Sequence, residues 1–174
     1  VAHEYCEIDG EGVGPVYANP FCPPPPDDGV TQTTRPIVAG ALTVTDGFWD
    51  SYRASWPLRT LLTPTRTGEL LDGFVEHHRC CGWVSRWSAP GPADIMTGTS
   101  SDAVFADAAL ADLPVLDFIA AYDSCLRNAT TPSDDPRVGR KGMTRSLFRG
   151  YTDTSTGEGM SWTVDAAIND AAIG

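Results

Sequence analysis

The chain of 174 residues holds a single lysine, Lys141, and only 12 lysines and arginines against 23 aspartates and glutamates. A formal net charge of −11 repels polyanions, so neither nucleic acid nor an anionic membrane surface is expected as a partner. Solubility accounts for most of that charge. No apolar run is long enough to span a bilayer. A signal-peptide pattern and an initiator Met are both lacking, and the expectation is a piece cut from a larger protein. The GxSxG nucleophile elbow, the GxGxxG fingerprint and the P-loop are missing too. Cysteines number five, an odd count that excludes a disulfide scaffold. Cys6 and Cys22 flank a turn-rich loop and can pair in an exported protein. Cys80-Cys81 lies close to His77-His78, but no CxxC spacing occurs and neighbouring helical positions point apart, so no metal site is expected.

What the chain does have falls into two parts. Residues 1–45 are dense in Gly and Pro and read as a long irregular region; Pro23-Pro24-Pro25-Pro26 forces a short extended segment. The run from Ile37 to Val44 reads as a short hairpin turning near Gly40. Residues 46–174 read as helices, so the class is mainly α, with about five helices and little strand. Trp49, Tyr52, Arg53 and Trp56 fall at i, i+3, i+4 and i+7, one face of a helix that Pro57 should kink or divide. Thr63-Pro64 starts the next helix, Leu70, Leu71, Phe74, Val75 and His78 make its stripe, and Gly82 ends it. Further helices are expected over roughly 102–112, from Leu113-Pro114 onward, near 142–149 and near 158–173. Their buried faces are predicted to be Val115, Ile119, Tyr122 and Leu126, and Met160, Val164, Ala167, Ile168 and Ala171.

Three clusters can carry chemistry. In DGFWDSYRASWP, from Asp46 to Pro57, a carboxylate (Asp50) and a guanidinium (Arg53) sit one helical turn apart beside aromatic rings. Such groups can bridge vicinal sugar hydroxyls while a ring packs on the sugar's C–H face. Read from the pattern alone, core aromatics and a weak Asp50–Arg53 surface pair explain the same residues. Glu7, Asp9 and Glu11 alternate before a glycine-rich turn, but the order of a calcium loop is absent and a solvated acidic turn is the plainer reading. Gly98, Thr99, Ser100 and Ser101 precede a helix, an arrangement that can hold an anion or simply cap the helix. Asn128-Ala129-Thr130 fits a glycosylation sequon.

Taken in order, the blocks Phe48-Trp49-Asp50-Ser51-Tyr52-Arg53, Pro57-Leu58, Gly82-Trp83-Val84-Ser85-Arg86-Trp87, Asp94-Ile95-Met96-Thr97-Gly98 and Glu158-Gly159-Met160-Ser161-Trp162-Thr163-Val164-Asp165 resemble glycoside hydrolase family 92. These are calcium-dependent exo-acting α-mannosidases. The resemblance covers most of residues 3–173 and implies that 1–174 is a portion of an (α/α)6-type helical catalytic domain. A β-sandwich domain of the same polypeptide would pack against it. The implied reaction is inverting hydrolysis of terminal α-mannose, or of mannosyl-phosphate-linked mannose, from glycans, which implies a secreted or extracytoplasmic enzyme. The resemblance implies substrate-positioning roles for Trp49, Asp50 and Arg53, with His3 and Glu4 as lesser candidates. It places the acid and base beyond Gly174, and calcium mostly on residues outside this segment. The pattern departs from the family at Gly98-Thr99-Ser100, where many members carry Gly-Asn-His. Glu158, Ser161 and Asp170 match family positions but serve helix packing equally well. The competing expectation is a non-catalytic helical domain that binds carbohydrate or protein.

Overall fold

The computed structural model describes residues 14–21 and 35–174, together with the backbone of His3–Tyr5 and Glu7–Ile8. The stretch expected to be irregular carries short strands: β1 (His3–Tyr5), β2 (Glu7–Ile8), β3 (Pro15–Ala18), β4 (Ile37–Ala39) and β5 (Leu42–Val44). β1 pairs antiparallel with β5, with His3 opposite Val44 and Glu4 opposite Thr43. β2, β3 and β4 form a second antiparallel sheet in that order. The chain does turn at Gly40, but the expected hairpin does not form, because β4 and β5 pair with different strands. Strands of two to four residues leave no alternation to read.

The helices are α1 (Phe48–Ser51), α2 (Ser55–Leu62), α3 (Pro64–Cys81), α4 (Ser101–Leu110), α5 (Phe118–Thr130), α6 (Met143–Arg149) and α7 (Gly159–Ile173), so the fold is mainly α. The helix expected from Asp46 divides before Pro57, not at it. Tyr52–Ala54 turn the chain, and Pro57 falls in the first turn of α2, where its missing N–H leaves no bond unmade.

Helix α3 is the central element. Pro64 opens it, and Thr63 offers its carbonyl to the Thr67 N–H at 2.9 Å. Gly82 closes it at φ 80°, a left-handed position where a side chain would be strained, and its N–H bonds the His78 carbonyl at 2.7 Å. Leu70, Leu71, Phe74 and Val75 are buried, with Phe48, Trp56, Val84, Val104, Phe105 and Leu113 packed in the same core. The Phe48 ring meets Phe74 edge-on at 4.7 Å and Trp56 at 5.9 Å between centroids. A smaller cluster of Tyr17, Leu42 and Val44 joins the strands to this body. There the backbones approach closely: a Cβ on Gly73 would lie 2.2 Å from Thr43 Oγ1.

The expected buried stripes of the later helices are inverted. Val115, Ile119, Tyr122 and Leu126 are exposed, Ile119 by 79%, and so are Met160, Val164 and Ile168, Met160 by 82%. What α5 buries is Ala121, Ser124, Cys125 and Asn128; what α7 buries includes Trp162, Asp165 and Asn169. The reason is a polar interior between α4, α5 and α7, which draws the polar faces inward. Leu113-Pro114 does not begin α5 either. Asp117 does, accepting the Ala120 N–H at 3.1 Å as an N-cap.

Candidate substrate-binding site

Beyond β5, the chain enters Asp46, whose buried carboxylate organises the turn between α1 and α2. Its Oδ2 accepts the Ser51 hydroxyl at 2.7 Å and the Trp56 indole N–H at 2.9 Å. One charged acceptor thereby folds α1 back on its own start and fixes the entry into α2. Trp56 is drawn into the core, while Asp50 and Arg53 face outward and Trp49 is half-buried. The four residues expected on one helical face are thus divided between two directions.

Asp50 and Arg53 do not pair with each other among the described residues. Arg53 donates to the Trp49 carbonyl at 3.0 Å, and its guanidinium lies over the rings of Tyr52 and Trp49, at 4.2 and 5.0 Å from their centroids. Asp50 instead receives the indole N–H of Trp87, 37 residues further on, at 3.4 Å. In the sequence Trp87 is only the last residue of a Gly-Trp block; nothing local places it against Asp50.

The segment that carries Trp87 is clamped to the α1 hairpin. Phe48 N–H bonds the Arg86 carbonyl at 3.3 Å, Ser88 N–H bonds the Asp46 carbonyl at 3.1 Å, and Gly47 and Trp87 form a β-bridge. Arg86 is buried behind this strand, where it donates to the carbonyls of Gly139 and Pro136 and to Asp94, at 2.8–2.9 Å, and lies over the Trp162 ring. On the α3 side, the buried imidazole of His77 bonds the Thr43 carbonyl at 2.7 Å and the Ser85 hydroxyl at 3.0 Å. A carbonyl can only accept, so the ring proton sits on Nε2 and Nδ1 accepts from Ser85. Burial pushes His77 down to about 4, against the opposing pull of the Thr43 carbonyl, and the ring is neutral near pH 7.

The other sequence-predicted candidates fall elsewhere. The backbone of His3 and Glu4 runs in β1 beside β5; their side chains lie outside the described residues, as do Cys6, Cys22, Asp9, Glu11 and the side chain of Glu7. His77 is taken up by its two bonds, Cys81 donates to the Trp83 carbonyl and Cys80 meets the Tyr17 hydroxyl at 3.0 Å. Among the described residues no three His, Cys, Asp or Glu gather into a cation site.

The turn read as a possible anion cradle is structural. Thr97 donates to Asp165 at 2.6 Å, Thr99 Oγ1 donates to Asp102 at 2.6 Å, and Thr99 N–H bonds Asn169 at 3.0 Å. Asp102 also accepts from Asn128 at 2.8 Å and from Arg140 at 3.3 Å, and Arg140 reaches on to Asp170 at 2.6 Å. Burial raises Asp102 to about 6, even though these donors favour its charged form. Asn128 of the sequon is buried in this network, where a glycan has no room. Glu158 and Ser161 are exposed.

Two cavities flank the polar interior. One of about 320 Å³ is lined by Arg140, Met143, Tyr151, Thr152 and Trp162 among others. The second, about 530 Å³, lies against Phe105, Phe118, Tyr122 and Cys125. Neither is lined by Trp49, Asp50 or Arg53; Asp50 and Arg53 are exposed at the surface and Trp49 is half-buried.

In comparisons with known proteins, residues 23–174 match the family described as the glycosyl hydrolase family 92 catalytic domain. Among solved structures, the chain is similar to a family GH92 inverting mannosidase from Bacteroides thetaiotaomicron VPI-5482. The TM-score is 0.73 at 20% identity, and the match covers 98% of this chain and 24% of that one. The chain therefore spans about a quarter of that structure's length. The likeness is one of fold. No curated protein matches the chain.

Proposed function

The chain belongs to glycosyl hydrolase family 92, and from that premise we propose that it forms part of a glycoside hydrolase that removes terminal α-linked mannose, or mannose linked through phosphate, with inversion. The observation that carries this reading is the outward placement of Asp50 and Arg53 on a hairpin held rigid by the buried Asp46. A carboxylate presented in this way can accept a bond from a sugar hydroxyl, and a guanidinium close to it in the chain can donate to another. Trp49 and Trp87 bring aromatic rings to the same part of the surface.

Inversion needs one carboxylic acid to protonate the leaving oxygen and one carboxylate to activate water on the opposite face. Neither role is assigned to a described residue; Trp49, Asp50 and Arg53 bind and orient. Calcium belongs to the proposal for the complete enzyme. The described residues offer it no group of three ligands, and no step assigned to them runs through it. The exposed faces of α5 and α7 support a further part of the proposal, that other helices and a β-sandwich domain of the same polypeptide pack on this chain. A polymeric mannoside is an extracellular substrate, so the enzyme is proposed to act outside the cytoplasm.

The test is Asp50→Ala in the complete protein, assayed on a panel of α-mannosides. Because Asp50 is exposed, the melting temperature should hold while kcat/KM falls by about a hundredfold or more. Turnover near normal would remove Asp50 from the site. Mannose binding with no turnover by the unmutated protein would favour the non-catalytic binding domain instead.

A further inference from the structure

Gly47 marks a three-way junction. A Cβ at that position would lie 2.1 Å from both Cδ1 and Nε1 of the Trp87 ring and 2.6 Å from Asp50 Oδ2. The absent side chain is therefore a notch in which the indole edge and the carboxylate both rest. Three features fix the indole there. The Gly47–Trp87 bridge sets the backbone register, the bonds from Phe48 to Arg86 and from Ser88 to Asp46 flank it, and the buried Arg86 anchors the strand from the far side. The indole next to Asp50 in sequence, Trp49, does not fill this place, and its ring carries the Arg53 guanidinium instead.

We infer that Trp87 is a positioning residue for Asp50: its indole N–H engages Oδ2 and orients the carboxylate, leaving Oδ1 to take a sugar hydroxyl. This rests on the reading of Asp50 as a sugar ligand. An unrestrained aspartate at the surface samples several rotamers, and each binding event must then select one. A donor on one oxygen, here at 3.4 Å, narrows that selection and favours one direction for the other oxygen.

The experiment uses the complete enzyme with Trp87→Phe, which keeps an aromatic ring in the notch and removes the donor. With the melting temperature retained, kcat/KM on an α-mannoside should fall about tenfold, the scale of one hydrogen bond to a charged group. In an Asp50→Ala background, Trp87→Phe should cause no further loss, because the acceptor it orients is gone. A loss under twofold in Trp87→Phe, or losses that simply multiply in the double variant, would overturn the inference. A second readout does not depend on turnover. In a ¹⁵N-indole spectrum, the Trp87 resonance, identified by its disappearance in Trp87→Phe, should move on Asp50→Asn. An unmoved resonance overturns the inference even in an active enzyme. A moved resonance in a protein that turns over no mannoside supports the contact and refutes the proposed function instead.

Discussion

Trp56 donates its indole N–H to the carboxylate of Asp46 at 2.9 Å, ten residues earlier in the chain, and both are buried. The bond converts a sequence that alternates core and surface aromatics into a defined turn, with Trp56 inward and Asp50 outward. Replacing Asp46 with Ala leaves the Trp56 N–H without its acceptor, while the Ser51 hydroxyl falls back on the Gly47 carbonyl at 3.0 Å. The expected cost is about 1–3 kcal/mol, that of one unsatisfied buried donor. Urea unfolding of the variant measures it. A change below about 0.5 kcal/mol, the range of ordinary surface substitutions, would show that Asp46 does not organise the turn.

His77 gives a pH dependence with a definite sign. Its folded value is about 4 and its unfolded value 6.5, so the unfolded chain binds the proton first as pH falls. The stabilisation is complete above about 6.5 and is lost progressively toward 4, by about 3 kcal/mol at ~1.4 kcal/mol per unit. Asp102, raised to about 6, works the other way: it stabilises most below its unfolded value and loses that contribution as pH rises through 6. Comparing unfolding of the unmutated protein and His77→Gln at pH 7, 5.5 and 4.5 cancels the Asp102 contribution. The difference between the two proteins should shrink as pH falls. A difference constant with pH would mean that His77 is not held neutral.

The exposed apolar residues of α5, α6 and α7 set up a third expectation. Ile119, Phe148 and Met160 are 79%, 89% and 82% exposed in the chain described. If the proposed remainder of the polypeptide packs there, cysteines introduced at 119 or 160 in the complete protein should react with a thiol reagent more than tenfold slower than in urea, an opening cost of only ~1.4 kcal/mol. Peptide mapping separates them from the native cysteines Cys6, Cys22, Cys80, Cys81 and Cys125. Labelling as fast as in the unfolded protein would show that nothing covers this face.

Calcium supplies the fourth. Chelation should abolish α-mannoside turnover by the complete enzyme, and calcium should restore it. The Trp87 indole resonance should stay in place throughout, because no described residue is assigned to the ion. Full activity after exhaustive chelation would remove calcium from the proposal.

Legibility in the sequence followed the range of the interaction. The ends of α3 could be read because Thr63-Pro64 and Gly82 act on their own turns, and α6 and α7 begin and end within about a residue of the expected limits. The faces of α5 and α7 could not. A hydrophobic stripe reports which side is apolar and says nothing of which partner covers it, and here Asn128, Asp165 and Asn169 fill the inner side. Asp50 and Arg53 were legible as neighbours in a motif. Their true partners were less so: Trp87 reaches Asp50 across 37 positions, and only a fold that bridges Gly47 to Trp87 brings it there.

The seam between α4, α5 and α7 also constrains how the chain can vary. Thr97 meets Asp165 and Thr99 meets Asn169, so successive turns of α7 read alternate positions of the loop before α4. Greasy seams tolerate slippage, since one methyl group substitutes for another. Sliding α7 by a turn would part Asp165 from Thr97, Asn169 from the Thr99 N–H and Asp170 from Arg140, leaving Arg140 only Thr99 and Asp102. The interlock selects a single alignment, and it ties the fate of its members together: drift at Asp165 is tolerated only alongside a matching change at Thr97.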